Sequence, residues 1–105
     1  MATEAGFIAY IMEQLNGLPY IDYKKMFGEY MIYSQGRPIF LVCDNTCFVK
    51  IIPVTTEFLG EDCEKGYPYT GARQHYIVDI DNRDMLIELA QILTATIPLP
   101  KKRNK

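Results

Sequence analysis

Cys43, Cys47, Cys63 and the lone His75 match a zinc ligand set in number, and a thiol within reach of an imidazole would make a nucleophile–base pair. The spacing speaks against both. Asp44-Asn45, between "FLVC" and "TCFVKII", reads as a two-residue hairpin turn. Cys43 then pairs with Thr46 and Cys47 with Val42. Neighbours on a strand alternate, so the two thiols point to opposite faces. Neither a shared metal nor a disulfide suits that arrangement, and buried apolar cysteines are expected. His75 opens a strand and reads as an ordinary polar residue. No G-x-S-x-G, P-loop or G-x-G-x-x-G occurs. Asp79 and Asp81 share a strand face, but Asp81 is placed to cap the helix that follows. The chain is expected to be non-enzymatic, with no cofactor and no metal. A small metalloprotein or enzyme around Cys43, Cys63 and His75 is the catalytic alternative.

The tyrosines are the second group with chemistry to offer. Tyr23, Tyr30, Tyr33, Tyr67, Tyr69 and Tyr76 could stack bases, as strand aromatics do when lysines and arginines are interleaved with them. The nearby cations are Lys24, Lys25, Lys50 and Arg73. The net charge is −2, but the terminal "KKRNK" holds four of the eleven cations. Seven basic residues then face thirteen acidic ones over residues 1–100, a body of −6. Nucleic-acid affinity rests on cations that neutralise phosphates, so direct binding of DNA or RNA is not expected. The tyrosines read instead as core-margin residues with wet hydroxyls. Lys24, Lys25, Tyr30, Lys50 and Tyr69 form the candidate contact surface for a protein partner or a second copy. A weak nucleic-acid-associated factor, using the tail with Lys24, Lys25 and Lys50, is the other alternative.

Several elements must position these residues. Phe7, Ile8, Ile11, Met12 and Leu15 recur at helical spacing, with Thr3 as the expected cap and Gly17 as the stop. "EYMIYS" and "RPIFLVC" flank Gln35-Gly36, a hairpin turn, and "TCFVKII" follows as the third strand of a meander. Gly28 is expected to bend or bulge the chain as it enters that meander, with Met26, Phe27, Met31 and Tyr33 packing on alternate faces. Pro38 belongs at a strand start or an edge, and Pro53 ends the third strand. "TTEFLGEDCEKG" reads as a short helix capped by Thr55 or Thr56 and closed by Gly66. "YPYTGARQ" is a loop and "HYIVDI" a strand. The last helix is capped by Asp81 or Asn82, carries Met85, Leu86, Leu89, Leu93 and Ile97, and stops at Pro98. Segregated strands and helices give an α+β class: a two-layer sandwich, an antiparallel meander plus at least one further strand, with the N- and C-terminal helices on one face.

With 105 residues the chain fits one domain over residues 1–100, followed by a basic, disordered tail at 101–105. No run approaches the roughly 18 apolar residues of a membrane span. "MATEAGFIAYIMEQL" lacks the basic start of a secretory signal, and an odd number of cysteines fits reduced thiols. A cytoplasmic location is expected, with no membrane partner.

"KKMFGEYMIY", "GRPIFLVCDNTCFVK", "PYTGARQHYIVDI" and "DMLIELAQILTATIPLPKK" resemble, in that order, the N-terminal domain of the TfoX (Sxy) family. The resemblance runs from about Tyr23 to Lys102. It implies a bacterial, cytoplasmic, non-enzymatic regulator of DNA uptake (competence) that acts with the transcription machinery. TfoX-type regulators carry a second, C-terminal domain, so this chain resembles a stand-alone member. The expected function is thus a regulatory, protein-interaction module.

Overall fold

The computed structural model describes residues 3–100, and the basic tail expected at 101–105 lies outside them. The described elements are α1 (Ala5–Gln14), β1 (Ile21–Met26), β2 (Glu29–Ser34), β3 (Arg37–Cys43), β4 (Thr46–Lys50), α2 (Pro53–Leu59), β5 (Lys65–Gly66), β6 (His75–Ile77) and α3 (Arg83–Thr96). The strands make one antiparallel sheet in the order β1-β2-β3-β4-β6-β5. The class is α+β, as the segregation of strands and helices predicts.

The helix layer covers one face of this sheet. Ile8 and Ile11 of α1, its C-cap Leu15, and Leu86, Leu89 and Leu93 of α3 are buried at helical spacing. They join one apolar cluster with Ile32, Phe40, Val42, Val49 and Tyr76 of the sheet. Each such side chain, fully withdrawn from water, contributes about 1.5–3 kcal/mol to the folded state. Thr55, also fully buried, fastens α2 to the end of β4: its hydroxyl donates to the Lys50 carbonyl at 2.7 Å and accepts from the Ile52 amide at 2.9 Å.

The sheet holds the expected meander and three further strands, β1, β5 and β6, and the strand that sequence patterning does not reveal lies in "YKKMFGEYMIY". β1 is exposed at five of its six positions, so it carries no alternation to read. It pairs with β2 from Ile21↔Ser34 to Met26↔Glu29, which leaves Phe27-Gly28 as a two-residue turn. Both turn residues have positive φ, 52° and 83°, as a type I′ turn requires. Gly28 therefore closes a hairpin and does not bulge a strand. Phe27 is not a packing residue: it stands fully exposed (104%) at the tip. Gln35-Gly36 and Asp44-Asn45 make the two expected turns, again with positive φ throughout.

The bulge falls one hairpin later. Ile32 faces Phe40 while Tyr33 faces Pro38, so Ile39 is an extra residue in β3. Pro38, which has no amide to offer the ladder, sits beside it. The helix boundaries also shift. Thr3 does not cap α1, which begins after Glu4 and ends at Gln14. The Thr3 hydroxyl instead donates to Glu29 Oε1 at 2.6 Å and accepts from the Asn45 amide at 3.2 Å. The same Glu29 oxygen takes the Thr3 and Asp44 amides, which ties the N-terminal segment to two hairpin turns. Pro53 starts α2, at the first helical position that tolerates proline, and Gly60 closes the helix instead of Gly66. Gly66 lies in β5. Asn82 caps α3 by accepting from the Met85 amide at 3.2 Å, while Asp81 takes the Tyr10 hydroxyl at 2.7 Å.

Candidate functional site

The face of the sheet opposite the helices is where the unassigned chemistry collects. Register places Met31, Leu41, Phe48 and Ile77 in one row across β2, β3, β4 and β6, because Met31↔Leu41, Leu41↔Phe48 and Phe48↔Ile77 are partners. Directly opposed residues share a face, so this row is the apolar stripe of the second face. Residues Tyr67–Gln74 run over part of it between β5 and β6. A turn over Tyr69–Ala72 anchors that loop, with the Ala72 amide donating to the Tyr69 carbonyl at 3.0 Å. Gly71 holds φ 88° at the third turn position, which only glycine adopts without strain.

Between this loop and the sheet lies a groove of about 410 Å³. Its floor is Met31, Leu41 and Phe48, with Pro38, the bulge residue Ile39 and Ile97 closing one side. Ile39, the extra residue of the bulge, both borders the groove and belongs to the buried core cluster, so the bulge lies where the groove meets the core. Lys50, Arg73 and His75 line the other end. Lys50 and His75 are cross-strand partners and so lie side by side on this face. The His75 ring meets Phe48 edge-on at 6.3 Å between centroids. Its Nδ1 lies 2.7 Å from the Arg73 carbonyl. A carbonyl can only accept, so Nδ1 carries the hydrogen and Nε2 is left as the ring's second polar atom. No aspartate or glutamate lines the groove.

Of the residues named as a contact surface, Lys50 and Tyr69 come together here. Lys24 lies on the same face, opposite Met31, with its ammonium 5.5 Å from the centre of the Tyr33 ring. Lys25 projects to the other side of β1, as its partner Tyr30 does. Tyr30 is a correction: it is only 6% exposed, packed in the helix-covered layer with its ring 5.5 Å from that of Tyr23. Met31, expected only to pack within its strand, shares this face with Leu41 and Phe48. Strand register aligns them in one row, and the groove they line also takes in Lys50 and Arg73.

The thiols sit as the turn geometry predicts. Cys43 faces Thr46 and Cys47 faces Val42. Burial among apolar groups pushes the Cys43 thiol up to about 11, helped by the carboxylates of Glu29 and Asp44. Cys47, wholly enclosed, is pushed up further by burial. Cys63 is raised by burial with Lys65 partly opposing, and its Sγ donates to the Ile77 carbonyl at 3.5 Å. A raised thiol holds little thiolate at neutral pH, and the thiolate is the nucleophile and the metal ligand. Among the described residues no three His, Cys, Asp or Glu side chains gather as a metal site, and no helix is long and apolar enough to cross a membrane.

No family model matches the chain. An uncharacterized 12.7 kDa protein in the trpE 5′ region of Spirochaeta aurantia is 30% identical to it over 106 residues. That similarity covers 99% of this chain and 91% of the spirochaete protein.

Proposed function

The chain belongs to the family of the Spirochaeta aurantia 12.7 kDa protein, and we propose, on the geometry of its groove, that it is a non-enzymatic regulatory and protein-interaction module. Its contact site is the groove on the open face of the sheet. The observation that carries this reading is the row Met31–Leu41–Phe48 beneath the Tyr69–Arg73 loop: an apolar floor left uncovered by the helix layer and rimmed by cations. A docked apolar side chain would gain about 1.5–3 kcal/mol there, enough to anchor a contact without catalytic groups. The raised thiols support a binding role over a nucleophilic one. The ordered resemblance to the TfoX N-terminal domain supports a regulatory setting in the cytoplasm, with the partner drawn from the transcription machinery.

Paired affinity capture tests the site. Wild-type protein and a Leu41→Glu variant, both confirmed folded by circular dichroism, are used as bait in one lysate. The expected result is a partner retained by the wild type and lost by the variant. Equal recovery on both baits, or none on either, overturns the reading.

A further inference from the structure

We infer that the groove selects a partner segment in which a large apolar side chain is flanked by carboxylates. This inference rests on the groove being the contact site and names the chemistry of its occupant. The body over residues 1–100 is −6, yet the groove lining holds the cations Lys50 and Arg73 and no carboxylate. Asp22 and Glu29 lie on the β1–β2 hairpin, outside the lining. The rim is thus a local positive field on an acidic molecule, and a cleft lined by one sign of charge draws the opposite sign.

β3 and β4 form the floor and are interior strands, each hydrogen-bonded to neighbours on both sides. No free strand edge faces the groove, so an occupant cannot dock by adding a strand. Recognition has to run through side chains: an apolar group on Met31, Leu41 and Phe48, and an anion against the rim. Lys50 and Arg73 are exposed while Phe48 is buried, so one occupant must reach from the floor out to solvent-facing cations. A chain segment with an apolar residue and a neighbouring Asp or Glu spans that distance. The protein's own "KKRNK" end carries the wrong sign for this site.

A peptide array tests the assignment, using the full-length protein as probe. Each peptide keeps an apolar core of Phe and Leu, flanked by Asp and Glu, by Ser, or by Lys. Affinities are then measured by fluorescence polarisation for wild type, Leu41→Glu and the double variant Lys50→Glu/Arg73→Glu. An exposed ion pair is worth a factor of roughly 1.4 to 5, so removing two attractions and adding two repulsions weakens acidic peptides by about fourfold or more. The expected result is a preference for acidic flanks, lost in Leu41→Glu and reversed in the double variant. Raising salt from about 50 to about 500 mM weakens the wild-type complex, because the rim charges are exposed.

Equal binding of acidic and lysine-flanked peptides overturns the inference. So does a preference that survives the double variant. Binding of decanoate without any peptide overturns it in favour of a small amphipathic acid, and self-association that blocks the groove overturns it in favour of a second copy. Where such a result coincides with a captured partner still lost on Leu41→Glu, the occupant's chemistry is wrong and the contact site stands.

Discussion

Phe27→Asn is predicted to make the protein more stable. Phe27 occupies the first central position of a type I′ turn at φ 52°, where its Cβ crowds the following carbonyl. A non-glycine residue held there costs on the order of 1 kcal/mol, and asparagine tolerates the conformation because its short amide bonds locally. The phenyl ring is fully exposed, so its removal forfeits no buried area. Strain relief of about 0.5–1 kcal/mol is thus left unopposed, which corresponds to a rise in Tm of about 2–6 °C for a domain of this size. Thermal unfolding followed by circular dichroism measures it. Phe27→Ala is the control: it removes the ring and keeps the conformational cost, so its stability should stay within about 0.5 kcal/mol of wild type. A Phe27→Asn protein that melts at or below the wild-type temperature refutes the strain argument. A loss above about 1 kcal/mol in Phe27→Ala would show that the ring is packed in solution.

Three further outcomes follow from the polar contacts and thiols. Thr55→Val should cost about 1–3 kcal/mol in urea unfolding, because the part-buried Ile52 amide loses the hydroxyl of the fully buried Thr55 as its partner. Glu29→Ala should destabilise by about 1–3 kcal/mol and Glu29→Gln by less, since one carboxylate oxygen accepts from Thr3 twice and from Asp44. For Cys43 the sign follows from linkage. Its folded value of about 11 lies above the ordinary 9, so the unfolded chain releases the proton first. The stability it contributes is complete below pH 9 and is lost as pH rises to about 11, and Cys43→Ala should flatten that decline.

Much of the fold was legible from local chemistry. Asp44-Asn45 is a turn pair with a mechanism, and reading it correctly put Cys43 and Cys47 on opposite faces. The stripes of α1 and α3 were legible because buried helices repeat at 3.6 residues. β1 was not legible. An edge strand wet on nearly every residue has no alternation, and phenylalanine is not a residue that marks a turn. The groove was harder still. Its parts come from Met31, Phe48 and Arg73, far apart in the chain, and meet only through register, a bulge at Ile39 and the turn at Tyr69–Ala72. Lys50 and Tyr69 could be named as surface residues beforehand. That they flank one apolar floor depends on the third dimension.

The most direct test of the contact site is a methyl-labelled NMR titration of the folded protein with the captured partner or with the acid-flanked peptide. Shifts should concentrate on the methyl groups of Met31, Ile39, Leu41 and Ile97, which line the groove, and spare Ile11, Leu89 and Leu93 beneath the helix layer. Shifts confined to the helix layer or to Met26 at the hairpin tip, with Met31 and Leu41 unmoved, would contradict the account.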